Sequence, residues 1–165
     1  MEISLERFNG FFQTGGWILS HSYSVYPNDS IGTWDWEDGE GDGTPPMMAW
    51  RNDTLYSFFI YGLSEEVRNN DKGSYQYDEA HRRLHISGFS FRVFWKNLND
   101  LEVISINEDE MRCKAPLYQL VKDENAIGSF LIFKHIKEDV VNEWYEKCVT
   151  KKRNQLIREP IQQNN

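Results

Sequence analysis

Residues 72–87 read KGSYQYDEAHRRLHIS, and this stretch decides the fold. Tyr75 and Tyr77 alternate with polar residues before it turns, and Leu84 and Ile86 alternate with polar residues after it. Asp78, Glu79, Ala80 and His81 form the polar connector between them. Large side chains at a period of two, joined by a short polar turn, predict a β-hairpin with Tyr75, Tyr77, Leu84 and Ile86 on one face.

Short alternating runs of the same kind lie on both sides. WILSHSYSVY begins at Trp17, after Gly15-Gly16, and its alternation places Trp17, Leu19, His21, Tyr23 and Val25 together. Residues 27–46, rich in Asp, Gly and Pro, read as a loop. Met47–Arg51 and Thr54–Tyr61 read as strands turned by Asn52-Asp53. The second of these is apolar on both faces, which suits a strand between an interior and a covering helix. Leu63–Asp71 reads as a polar connector. Further strands are expected at Phe89–Lys96, Leu101–Asn107, Met111–Val121 and Gly128–Ile136.

Helical spacing marks the two ends. Ile3, Leu5, Phe8, Phe11 and Phe12 predict a short helix stopped by Gly15-Gly16, and Val140, Val141, Trp144, Tyr145, Cys148 and Val149 predict an amphipathic one. The chain therefore divides into an N-terminal helix (1–14), a barrel (15–136), a C-terminal helix (137–158) and a tail (159–165). It is one mostly β domain, a single antiparallel up-and-down barrel of about eight strands.

Composition narrows the partners. The 165 residues are 39% hydrophobic but 15% aromatic, a balance that fills a barrel with few, large side chains. A net charge of −8 argues against nucleic acid, which demands a basic footprint. No apolar run reaches the roughly 18 residues of a membrane span. The first residues lack the basic start and apolar core of a signal peptide. Cys113 and Cys148 read either as one disulfide or as two free thiols.

The motifs Gly15-Gly16-Trp17, Gly73-Ser74-Tyr75-Gln76-Tyr77-Asp78 with Leu84-His85-Ile86-Ser87-Gly88, Leu101-Glu102-Val103-Ile104 with Glu108-Asp109-Glu110-Met111, and Leu131-Ile132-Phe133-Lys134 carry a resemblance. Over roughly Gly15–Ile136 the chain resembles the bacterial lipocalin-like domain proteins, small secreted or lipid-anchored barrels. That resemblance implies an exported protein, periplasmic or on the cell surface, that binds a small hydrophobic or amphipathic ligand. It also implies that Trp17 packs at a closed barrel end beneath a basic residue near the last strand, here Lys134 or Lys137.

Candidate site residues follow from alternation. Trp17, His21, Tyr23, Phe59, Tyr61, Tyr75, Tyr77, Phe91 and Trp95 are expected to line the barrel interior and mouth. Eight-stranded barrels either fill with side chains or hold one small ligand, and both readings stand. Trp34, Trp36 and Trp50 flank the long loop and are placed to cap the mouth. Asp38, Glu40 and Asp42 match the first positions of a calcium loop, but Ala49 stands where a bidentate Glu is needed. A solvated acidic loop is the preferred reading. His81 and His85 are expected to face solvent. Lys147, Lys151, Lys152, Arg153 and Arg158 make a basic helix end, suited to the helix dipole or to an acidic partner. With no nucleophile elbow and no phosphate loop, the expectation is a non-enzymatic binding barrel without cofactor. The alternative is a structural or protein-interaction barrel with a filled interior, acting through its acidic loop or C-terminal helix.

Overall fold

The computed structural model describes residues 2–37, 47–61, 66–89, 98–116 and 124–150, with the side chains of all except 33–37, 59–61, 66–70 and 149–150. Helix α1 (Leu5–Phe12) is followed by β1 (Gly16–Val25), β2 (Ile31–Glu37), β3 (Met47–Arg51), β4 (Thr54–Tyr61) and β5 (Glu66–Asp78). Next come β6 (Arg83–Ser87), β7 (Asp100–Ile106), β8 (Glu110–Pro116), β9 (Gly128–Ile136) and α2 (Glu138–Tyr145). A π-helical turn, Glu146–Thr150, extends α2.

The nine strands among the described residues occupy eight positions in a closed antiparallel barrel. Strand β1 explains the difference. Its C-terminal half pairs with β2, from His21 opposite Glu37 to Val25 opposite Ile31, and its first residues pair with β3, Gly16 opposite Ala49 and Ile18 opposite Met47. Strands β2 and β3 therefore run end to end along the same edge. On its other edge β1 pairs with β9 from Gly16 opposite Ile136 to Val25 opposite Gly128, which closes the barrel. Closure matters because an unpaired edge leaves a row of backbone donors and acceptors without partners.

The hairpin is as expected. Tyr75 opposes Ile86 and Tyr77 opposes Leu84, and all four join the interior cluster. Asp78 builds the turn: its Oδ1 accepts from the Ala80 and His81 amides at 3.0 and 3.3 Å, and Arg82 closes the turn at φ +53°. Gly73 is required at the open end of the hairpin, since a Cβ there would sit 2.0 Å from the Ser87 carbonyl oxygen.

Two expectations need correction. Ile31–Glu37 is a strand rather than loop, because the second half of β1 needs a partner along that edge. Glu66–Asp71 is the first part of β5 rather than a connector, paired with β4 from Tyr61 opposite Glu66. Backbone pairing does not require apolar side chains, so polarity was a poor guide there. The expected strand at 89–96 lies outside the described residues from Ser90 onward. The same holds for the C-terminal helix beyond Thr150.

Two cores result. Inside the barrel, Trp17, Leu19, Leu84, Leu101, Met111 and Phe133 are fully buried beneath α1. Outside it, Val141 and Cys148, with Trp144 and Tyr145, pack on Met47, Ala49, Tyr56 and Phe58. Strand β4 is thus apolar on both faces because α2 covers its outer one. Arg51 fixes α2 with a 2.6 Å ion pair to Glu138, whose other oxygen accepts from the Gly15 amide. Cys113 belongs to the inner core and Cys148 to the outer, so the barrel wall separates the two thiols and no disulfide joins them, and burial pushes the Cys113 thiol pKa up.

The alternation of β1 also breaks. A bulge between Leu19 and His21 inserts one residue against β9. Leu19 opposes Phe133 inside, but after the bulge it is Ser22 that opposes Leu131 inside. His21 and Tyr23 therefore turn outward, opposite Ile132 and Phe130, and stack on each other with centroids 5.9 Å apart. One extra residue exchanges the two faces of every residue beyond it.

Trp17→Ala should accordingly cost about 3–5 kcal/mol in urea unfolding, whereas Tyr23→Ala should cost about 1 kcal/mol or less. Equal costs would place Tyr23 inside. Glu110 supplies a pH test. Hydrogen bonding from Lys134 at 2.8 Å, reinforced by Arg112 at 2.6 Å, holds its carboxyl below the ordinary glutamate range despite some desolvation. A depressed folded-state pKa stabilises above the unfolded value, and that stabilisation disappears as pH falls through the folded value. Glu110→Gln should therefore lower the melting temperature at pH 7, with the gap to wild type closing in acid. A gap that stays constant from pH 7 to 3 would contradict this.

Candidate functional site

Helix α1 closes one end of the barrel. Ser4 caps it by accepting from the Arg7 amide, and the spacing of Phe8 and Phe12 turns both rings inward. Phe8 stacks on Tyr77 at 4.0 Å, and Phe12 meets the edge of Tyr75 at 4.6 Å. Polar contacts fasten the same helix. The Tyr77 hydroxyl donates to the Ile3 carbonyl at 3.0 Å, the Leu5 amide donates to Glu79 at 2.9 Å, and the Trp17 indole donates to the Phe12 carbonyl at 3.2 Å. Burial pushes the Tyr75 and Tyr77 hydroxyl pKa values up, so both stay neutral donors.

Trp17 packs at this closed end, as the resemblance implied, but beneath a different residue. His135 stands opposite it in the ladder, ring centroids 5.1 Å apart, and its Nε2 lies 2.8 Å from the Thr14 carbonyl. Lys134 points to the outer surface and pairs with Glu110, and Lys137 is the exposed N-cap of α2. Gly15 makes the tight entry possible: it sits at φ +63°, and a Cβ would meet the Ile136 carbonyl at 2.1 Å.

Towards the other end of β1 the interior changes character. Ser22 and Ser24 on β1, Ser129 on β9 and Ala115 on β8 face inward there, by register with Leu131 and Cys113. Ser57 on β4, opposite Met48, also faces inward. The buried polar residues among those described are all serines. Ser22 is the unusual one: its hydroxyl oxygen is fully buried and has no hydrogen-bond partner among the described residues. Buried hydroxyls are normally paired, and leaving one unpaired costs about 1–3 kcal/mol.

A groove of about 620 Å³ lies on the flank of the closed end. Leu5, Asn9 and Gln13 of α1 form one wall, Trp50 and Tyr75–Asp78 the other, with His85 at its margin. Tyr75 is the hinge between walls: its hydroxyl accepts from Gln13 Nε2 at 2.7 Å and donates to Asn9 Oδ1 at 2.6 Å.

The structure brings together only part of the expected set. Trp17, Tyr75 and Tyr77 meet at the closed end, while His21 and Tyr23 lie on the outer face. The side chains of Phe59 and Tyr61, and Phe91, Trp95, Asp38, Glu40 and Asp42 entirely, fall outside the described residues, as do the side chains of Trp34 and Trp36. Trp50 is no mouth cap, because it packs edge-on against Tyr75 at the closed end, 5.0 Å between centroids. His81 and His85 face solvent as expected, beside Asp78 and Asp100. Lys147 pairs with Glu143 one helical turn away. Among the described residues no three His, Cys, Asp or Glu side chains gather as a metal site, and no helix is long and apolar enough to cross a membrane. Sequence reasoning missed His135, Ser22, Asn9 and Gln13, since each acquires its role only through the strand register or through the docking of α1.

Fold and site together define a closed antiparallel barrel with one helix-capped end and a serine-bearing inner wall. No protein-family model matches the sequence, and a search of curated proteins found no match.

Removing the orphan hydroxyl tests the inner wall. Ser22→Ala should raise stability by about 1 kcal/mol in chemical denaturation, because it deletes a desolvated group that makes no bond to the described residues. A loss of similar size would show that the hydroxyl is paired.

Proposed function

We propose that this chain is a lipocalin-like, non-enzymatic barrel that holds one small amphipathic molecule in the half of its interior remote from α1. The observation that carries the reading is the buried Ser22 hydroxyl, which has no partner among the described residues, on an inner wall of small residues. Large rings and leucines occupy the capped half, so a ligand's place is at the far end. There, apolar parts of the ligand would meet Leu131 and Ala115, and its polar end would give Ser22 the missing partner. A few polar groups in an otherwise apolar site are what orients a small molecule. The resemblance to bacterial lipocalin-like domain proteins supports the same assignment, and an exported location is proposed on that resemblance.

Native mass spectrometry of the purified chain, followed by organic extraction, tests it. The expected result is a bound species of a few hundred daltons that is lost on extraction and held more weakly by Ser22→Ala. A chain that carries nothing, and that fails to take up a fluorescent fatty-acid analogue, would favour the structural or protein-interaction reading instead.

A further inference from the structure

We propose that the groove between α1 and β5 is a second ligand site, separate from the barrel interior, and that it takes a neutral sugar ring. The argument begins with Tyr75. A phenol has one proton, and here its oxygen lies between two side-chain amides, Gln13 at 2.7 Å and Asn9 at 2.6 Å. Gln13 offers its NH₂ to the phenol and Asn9 its carbonyl. Their remaining edges are then of opposite kind, one donor and one acceptor. As the amides are drawn, Asn9 Nδ2 donates and Gln13 Oε1 accepts, and neither has a protein partner among the described residues. The two residues are one helical turn apart, so both amides stand on the same face of α1.

The opposite wall is aromatic. Trp50 and Tyr75 meet at 82°, forming a corner of two half-buried rings, and no described group accepts from the Trp50 indole N–H. Ring faces carry partial negative charge and favour the slightly positive C–H hydrogens of a saturated ring. Gln76 adds a third, exposed amide.

Charge then excludes other ligands. Asp78, the groove's one carboxylate, is held by the His81 ring at 2.8 Å, and that contact keeps its carboxyl below the ordinary aspartate range. His85 stands 3.5 Å from Asp100. An anionic ligand would meet the Asp78 carboxylate, and a hydrocarbon chain would strip water from three amides without replacing it. A ring with an apolar face and neighbouring hydroxyls, each both donor and acceptor, satisfies both walls. At about 620 Å³ the groove has the size of a small-molecule site.

Saturation-transfer NMR on the full chain, with maltotriose, cellotriose and chitotriose as probes, tests the assignment. At least one trisaccharide should receive saturation, strongest at ring C–H protons. Trp50→Ala should weaken that ligand by about tenfold. Gln13→Ala and Gln76→Ala, both at exposed positions, should each weaken it by about fivefold. They carry the test if the tryptophan variant fails to fold. Uptake of the fatty-acid analogue should not change in the two glutamine variants, which separates this site from the interior. No transfer to any of the three sugars, or transfer that survives both glutamine substitutions undiminished, overturns the proposal. Stronger transfer to an acetylated Ala-Gln-Ala peptide than to any sugar overturns it equally.

Discussion

The β1–β9 ladder is the constraint on which everything else rests. It runs from Gly16 opposite Ile136 to Val25 opposite Gly128 and closes the sheet into a barrel. Without it, the inward faces of Trp17, Leu19 and Phe133 would have no common interior to fill. The other edge of β1 is covered by two successive segments, β2 and β3, that run end to end along it. Closing a barrel from strands at both chain ends makes the contacts long-range, and such topologies depend on every rung being in register.

Within that ladder one inserted residue has a large effect. The bulge at Ser20 hands the inward direction from Leu19 to Ser22 and Ser24, so the same strand contributes a tryptophan at one end of the barrel and serines further along. Among the described residues, the interior has rings under α1 and serines on β1 and β9 towards the other end of β1. No group among the described residues bonds the buried Ser22 hydroxyl, a local conflict between that side chain and the fold.

Helix α1 has two roles that share the same residues. Its inner face, Phe8 and Phe12, completes the core against Tyr75 and Tyr77. Its flank, Asn9 and Gln13, is fixed by the Tyr75 hydroxyl and forms the wall of an open groove. A single phenol thus joins the packing of the cap to the orientation of two amides at the surface.

Local patterning in the sequence determined the hairpin, the aromatic face of Tyr75 and Tyr77, both helices and the doubly apolar β4, since these depend on periods of two and of three to four residues. The barrel followed from the number and evenness of the strands. Three features were settled only by the tertiary structure. Whether His21 and Tyr23 face in or out depends on a bulge that alternation does not reveal. The residue over Trp17 is His135, and only the β1–β9 register brings them together. Trp50 and Tyr75, 25 positions apart, became neighbours because β3, β4 and β5 pair in sequence order. Periodicity specifies which residues share a face of one strand, but which faces meet is decided by register, and register is a property of the closed sheet.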